Sequence, residues 1–415
     1  ETVGALCLAY HADMFYTEAE HCYAAAMALE PEAWRWPYAR ALIRTDLGGG
    51  GEAIADLLRV IELAPDFSPA WLRLGDAEFK AGRYGAAAEA WRRAMELPEP
   101  ARPARTPEHV VEVPVAAYAR VGLARIALMR GDAEGARRLL EPVQQSAPAF
   151  SQALRVLADA SRALGRDREA DLAIYRANRL PPYAPYADPL VDELALESRN
   201  ATLLLRLASE ANLAVNGAWS EHLTRRALAF DPDNPEAIAK LGRVLRTVGR
   251  SAEALPYFRR YHELVPGDFE GLAQIGATLS DLGRYEEAEP LLRRALEGID
   301  DAVTHYNLGL LLATTGRLEE AVAAYRKALE RDPRNSNARV NLAATLARQG
   351  HVAAAIAELE RVVADDPEHA LAQANLGLLL AGRGARARAI AHLREAVRLD
   401  PDLRPAADAL RQLGG

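Results

Sequence analysis

Three tandem copies of one 34-residue unit constrain this chain more than any other feature. They run through residues 302–401, and each closes on Asp-Pro: Asp332-Pro333, Asp366-Pro367 and Asp400-Pro401. A fixed period of this length implies a solenoid, in which each unit buries its apolar face only against its neighbours. Within the first copy, Leu308, Leu311 and Leu312 recur at helical spacing. Gly316 follows where a helix must stop, because glycine accepts positive φ at a C-cap. Ala321, Tyr325 and Ala328 then share one face of a second helix, and Pro333 ends it. The next two copies carry Gly350, Ala355, Leu359, Val362 and Gly384, Ala389, Leu393, Ala396 in the same slots.

This pattern resembles the tetratricopeptide repeat. The resemblance implies an all-α fold, a right-handed α-α superhelical solenoid of helix-turn-helix repeats. Counting each unit from 1 to 34 with its proline at 32, Gly309 falls at the close approach of the two helices, and the resemblance places it opposite Ala321. Carried back through the chain, the register gives about eleven repeats. Repeats 1–5 fill residues 1–181, repeats 6–11 fill 198–401, and residues 402–415 read as an amphipathic capping helix that hides the last apolar face. A proline-rich insert at 99–113 interrupts the first set. A second at 182–197 reads as a linker, rigid and extended at Pro182-Tyr183-Ala184-Pro185, with a short helix over Leu190–Leu196. Repeat 1 carries Cys7 where glycine is usual, and repeat 8 carries Asp300 where proline is expected.

Composition closes off several function classes. A net charge of -8 and no basic run with interleaved aromatics argue against a nucleic-acid partner. No apolar stretch is long enough to span a membrane. The chain lacks a Gly-rich phosphate loop, His-Glu-x-x-His, Gly-x-Ser-x-Gly and Cys-x-x-Cys-His. No catalytic residue, metal or cofactor is therefore expected. His305 occupies a packing slot of the first helix, and the group His11, His21, Cys7 and Cys22 offers a poor ligand set because neighbours on a helix diverge. Cys7 and Cys22, the two cysteines of the chain, fall on the two helices of one hairpin. They can form a disulfide or remain buried thiols. With a first residue that is not Met, a disulfide suggests a periplasmic or extracellular setting, a cytoplasmic one remaining possible.

The binding signal is a row of amides. Asn307, Asn341 and Asn375 all hold position 6, with Gln274 in the same slot of repeat 8 and Lys240 in repeat 7. The resemblance implies that position 6 faces the concave groove, as in the asparagine ladders of some peptide-binding members. An Asn side chain can bond a backbone C=O and N–H together. Around the amides the expected groove is apolar, with Tyr306, Leu310, Val340, Ala374 and Leu378 lining it. The carboxylate clamp of chaperone-binding members needs Lys and Arg beside the Asn, and only Arg348 is at hand. The sequence thus points to a non-enzymatic scaffold that holds an extended partner segment. The competing reading is a structural subunit that assembles with copies of itself.

Overall fold

The structure, a computed structural model, describes residues 2–101, 113–178, 180, 186–211 and 217–414. Most of the 99–113 insert and the Pro182–Pro185 segment lie outside the described residues. The described residues form helices and connecting turns, with no strand. By contacts the chain divides into two compact units, Glu1–Val248 and Gly249–Gly415.

In the first unit the helices pair in sequence. The pairs are α1 (Thr2–Ala12) with α2 (Tyr16–Leu29), α3 (Arg35–Asp46) with α4 (Gly50–Leu63), and α5 (Ser68–Lys80) with α6 (Tyr84–Glu96). Then come α7 (Val115–Met129) with α8 (Ala133–Ser146), α9 (Ser151–Ala163) with α10 (Asp167–Asn178), and α12 (Ala201–Glu210) with α13 (Gly217–Phe230). The short α11 (Pro189–Glu197) belongs to no pair, and α14 (Pro235–Thr247) closes the unit. The second unit opens with α15 (Ser251–Leu264). Its pairs are α16 (Phe269–Asp281) with α17 (Tyr285–Gly298), α18 (Ala302–Thr314) with α19 (Leu318–Arg331), α20 (Ser336–Arg348) with α21 (Val352–Asp365), and α22 (Ala370–Gly382) with α23 (Arg386–Leu399). The last helix, α24 (Arg404–Gln412), packs on α22 and α23 and buries Ala406. These ten pairs, with the last helix packed on α22 and α23, follow the helix-turn-helix pattern read from the sequence.

The first helices of the C-terminal repeats end where the sequence suggests, at a glycine. Gly316 and Gly350 sit at φ 83° and 84°, left-handed geometry that other residues reach only with strain. The close approach inside a repeat also seats a large side chain. A Cβ on Gly309 would lie 2.8 Å from the Tyr325 ring, and one on Gly75 would lie 2.4 Å from Trp91. The glycine therefore admits the large side chain one turn beyond the landmark alanine, and at Gly276 the Ala288 carbonyl lies 3.1 Å from the same point as well. Tyr325 and Trp91 are accordingly buried.

First helices of successive repeats lie side by side: α5 with α7, α16 with α18, α18 with α20, and α20 with α22. They form one layer in each unit, called here the inner face. The contact division falls later in the chain than the break suggested at 182–197, because residues 186–200 fold back onto α1, α3 and α5. That return sets up the difference between the two inner faces.

Where repeat 8 lacks its proline, Asp300 takes over the joint. His305 Nε2 lies 2.8 Å from Asp300 Oδ1, and Arg331 bonds the same carboxylate. Arg331 first, then His305, hold the Asp300 carboxyl down to about 2, below its usual range. His305 is buried and serves packing and this bond.

Candidate functional site

In the second unit the inner face is uncovered. Val303 is 57% exposed, Leu371 46% and Leu310 38%, a large apolar area left to solvent. Tyr306, Asn341, Asn375, Leu378 and Gln274 are half-buried among them. The amide of Asn341 donates to the Tyr306 hydroxyl at 3.1 Å, joining position 6 of one repeat to position 5 of the one before. Burial pushes the Tyr306 phenol above its usual range, so it stays protonated and able to donate. Asn307 and Asn375 make no side-chain hydrogen bond among the described residues, although Asn307 is only 9% exposed. Two expected lining residues sit elsewhere. Val340 and Ala374 are 1% and 4% exposed and belong to packing, because at position 5 only a side chain as long as Tyr306 reaches the surface. Arg348 donates to the Ala313 carbonyl at 2.8 Å, at the C-terminal end of α18, where carbonyls lack helical partners. That guanidinium is committed to the fold.

In the first unit the same face is covered from within. Helix α11 lies across it, with Leu190 and Leu194 buried in one core cluster with Leu8, Trp36, Tyr38 and Leu42. Asp188, the N-cap of α11, is 3% exposed. Its carboxylate accepts from the Tyr38 hydroxyl at 2.7 Å and from Arg73 Nη2 at 2.7 Å. Arg73 Nε in turn donates to the Tyr38 hydroxyl at 2.8 Å. Burial drives the Tyr38 phenol well above its usual range, so it is a fixed donor. One turn on, Glu193 pairs with Arg35. Past the helix, Ser198 Oγ donates to the Ala12 carbonyl at 2.7 Å and Asn200 Nδ2 to the Asp13 carbonyl at 3.2 Å. Arg226 holds the far side through the Ala195 and Ser198 carbonyls, at 2.5 and 2.9 Å.

The two faces share a register. Arg35, Tyr38 and Leu42 hold positions 2, 5 and 9 of repeat 2, and Arg73 holds position 6 of repeat 3. Val303, Tyr306 and Leu310 hold positions 2, 5 and 9 of repeat 9, and Asn341 holds position 6 of repeat 10. The pairing of Arg73 with Tyr38 is repeated by that of Asn341 with Tyr306. Sequence reasoning missed the first set, although a tyrosine at position 5 followed 35 residues later by a long donor was visible at Tyr38–Arg73 and Tyr306–Asn341.

Beside α11 a cavity of about 410 Å³ is lined by residues including His11, Tyr16, Asp46, Arg206 and Glu210. His11 is buried, with Nδ1 3.1 Å from the Tyr23 hydroxyl, and burial lowers its pKa to about 4. Close by, Cys7 and Cys22 form a disulfide between α1 and α2, with Cα atoms 5.2 Å apart. His21 bonds instead to the Thr17 carbonyl at 2.9 Å. Among the described residues no group of three or more His, Cys, Asp or Glu is placed to hold a metal ion, and no helix is long and apolar enough to cross a membrane.

Comparison with known proteins adds the following. Three family models, each described as a tetratricopeptide repeat, match residues 38–104 and 72–141, 269–334, and 312–379. No curated protein matches the chain by sequence. Among solved structures, Cut9 of the APC/C hetero-tetramer Cut9-Hcn1 is similar over 97% of this chain and 94% of its own, at 13% identity and a TM-score of 0.46. Yeast Tom70 is similar over 99% and 95%, at 16% identity and a TM-score of 0.41. YrrB, described as having an unusual peptide-binding site, covers 45% of this chain and 97% of its own, at 23% identity and a TM-score of 0.37.

Proposed function

Because this chain belongs to the tetratricopeptide-repeat family, a family of protein-binding scaffolds, we propose that it is a non-enzymatic scaffold whose second inner face holds a segment of a partner protein. The observation that carries this reading is the uncovered apolar and amide surface of α18, α20 and α22. Val303, Leu310 and Leu371 stand in solvent beside the unengaged amides of Asn307 and Asn375. Apolar area of this kind, edged by polar groups, is what an interaction site needs, since a contact there gains about 25 cal/mol per Å² buried. The amides add hydrogen bonds to any backbone laid along them. The Cys7–Cys22 bond supports an oxidising setting, periplasmic or extracellular.

The test is a photo-crosslinking residue placed at Leu310 and, as the comparison, at exposed Lys327 on α19. In the native cell a discrete adduct is expected from position 310 and none from 327. Replacing Asn307, Asn341 and Asn375 together by Ala should remove the adduct and leave far-UV circular dichroism unchanged. An adduct that persists in the triple variant sinks the amide reading. An adduct of the protein with itself, together with a native mass well above the 45.1 kDa chain, favours the self-assembling subunit.

A further inference from the structure

The first unit records what its inner face binds, and the second unit repeats the binding positions without the occupant. Helix α11 is gripped at positions 2, 5 and 9 of one repeat and position 6 of the next, by Arg35, Tyr38, Leu42 and Arg73. Those positions in repeats 9 and 10 carry Val303, Tyr306, Leu310 and Asn341. Positions 5 and 9 keep their residue type, and position 6 keeps its hydrogen bond to the tyrosine. Leu42 has Leu310 as its counterpart. Tyr38 and Tyr306 each receive a hydrogen bond from position 6 of the following repeat, at 2.8 and 3.1 Å. In the first unit the tyrosine passes its own proton on to the N-cap of α11. In the second unit the Tyr306 proton has no acceptor among the described residues.

We propose that the second inner face binds the N-terminal end of an amphipathic helix from another protein, in the pose that α11 takes on the first. Its N-cap oxygen accepts from Tyr306. Apolar side chains one turn apart, as Leu190 and Leu194 are, rest on Leu310 and its surroundings. Positions 2 and 6 set the difference in chemistry. Arg35 meets Glu193, whereas Val303 at the same position is apolar and 57% exposed, so the partner helix is apolar where α11 is acidic. Arg73 carries charge for Asp188, whereas Asn341 is neutral, so the partner's N-cap is an uncharged Asn, Ser or Thr. This inference rests on the scaffold reading above and replaces its extended segment by a helix.

The probe is a synthetic peptide of residues 186–200 carrying Asp188→Asn and Glu193→Val, labelled for fluorescence anisotropy and titrated with the full chain. Saturable binding is expected. The unmodified 186–200 peptide should bind at least about tenfold more weakly, because Glu193 would be desolvated against Val303. Tyr306→Phe in the chain should weaken the modified peptide about five-fold, the loss of one hydrogen bond. Leu310→Asp should abolish binding with circular dichroism unchanged. A form of the peptide with Ala195→Pro, which cannot complete the helix, should not bind. Equal binding by that form overturns the helix and leaves the scaffold reading standing. Binding unaffected by Leu310→Asp places the peptide off this face and overturns the helix, the crosslink at position 310 then deciding the scaffold reading. No binding by the modified peptide overturns the helix, and the crosslink at position 310 then decides the scaffold reading alone.

Discussion

The first and second units present the same positions of the same repeat, and only the first has them covered. Where Tyr38, Leu42 and Arg73 hold α11, the tyrosine and leucine are buried and the arginine is half-buried and charged. Where Tyr306, Leu310 and Asn341 stand, the residues are neutral and partly exposed. A repeat scaffold thus fixes where contacts fall, and a few substitutions at positions 2 and 6 decide whether a face is charged for a resident helix or left neutral. Arg35 and Arg73 meet their carboxylate partners, Glu193 and Asp188, on the segment that carries the covering helix.

The comparison breaks most readily at the leucines. Truncating both Leu190 and Leu194 to Ala should cost about 5 kcal/mol, since each buried leucine removed typically costs ~2–5 kcal/mol. On the second inner face, Leu310→Ala with Leu371→Ala should cost much less, under about 1 kcal/mol, because both are already exposed. Urea unfolding of the two double variants checks this. Equal losses would mean that the second face is covered as well.

Next in size is Asp188→Ala. It leaves the buried Tyr38 hydroxyl and the half-buried Arg73 without their acceptor, which should cost about 2 kcal/mol. Asn341→Ala, removing the neutral counterpart, should cost under about 1 kcal/mol. If the two losses match, the charge on the first face is not what holds α11.

A third difference is in pH. His11 belongs to the covered face, and burial lowers its pKa from 6.5 to about 4. Between those values the unfolded chain binds a proton that the folded chain refuses. Stability from this group is therefore complete above about 6.5 and falls as pH drops toward 4. At pH 5 the loss should be about 2 kcal/mol relative to pH 7.5, at ~1.4 kcal/mol per unit. His11→Gln should flatten the profile over that range. A slope that survives the substitution would assign it to other groups.

The fold was legible because each repeat writes its own boundaries. Gly316, Gly350 and the closing prolines recur, and a period once found extends by counting. Helix α11 was legible as a short helix over Leu190–Leu196, but its destination was not. Its contacts join residues about 150 apart, as Asp188 does with Tyr38, and no local pattern encodes that pairing. The pairing of Gly309 with Tyr325 was hidden for a related reason. Slot spacing marks which residues share a helix face, whereas ring size decides which of them reaches the glycine. At the candidate site the amide row was readable from position 6, and the burial of Val340 and Ala374 was not, because exposure at position 5 depends on side-chain length.

The smallest effect is the most discriminating. Tyr38→Phe and Tyr306→Phe delete the same hydroxyl from the same slot. In the first unit that hydroxyl lies between Arg73 and Asp188, both held by the resident helix, so its loss should cost about 1.5 kcal/mol. In the second, Asn341 is half-buried and turns to water, so the loss should be about 0.5 kcal/mol or less. The gap between the two reads directly on whether an acceptor is present above the tyrosine. Adding the Asp188→Asn, Glu193→Val peptide at saturation should close it, because a bound N-cap gives Tyr306 the acceptor that Tyr38 already has. A gap that stays open with peptide bound would mean that the two faces share a register but not a mode of binding.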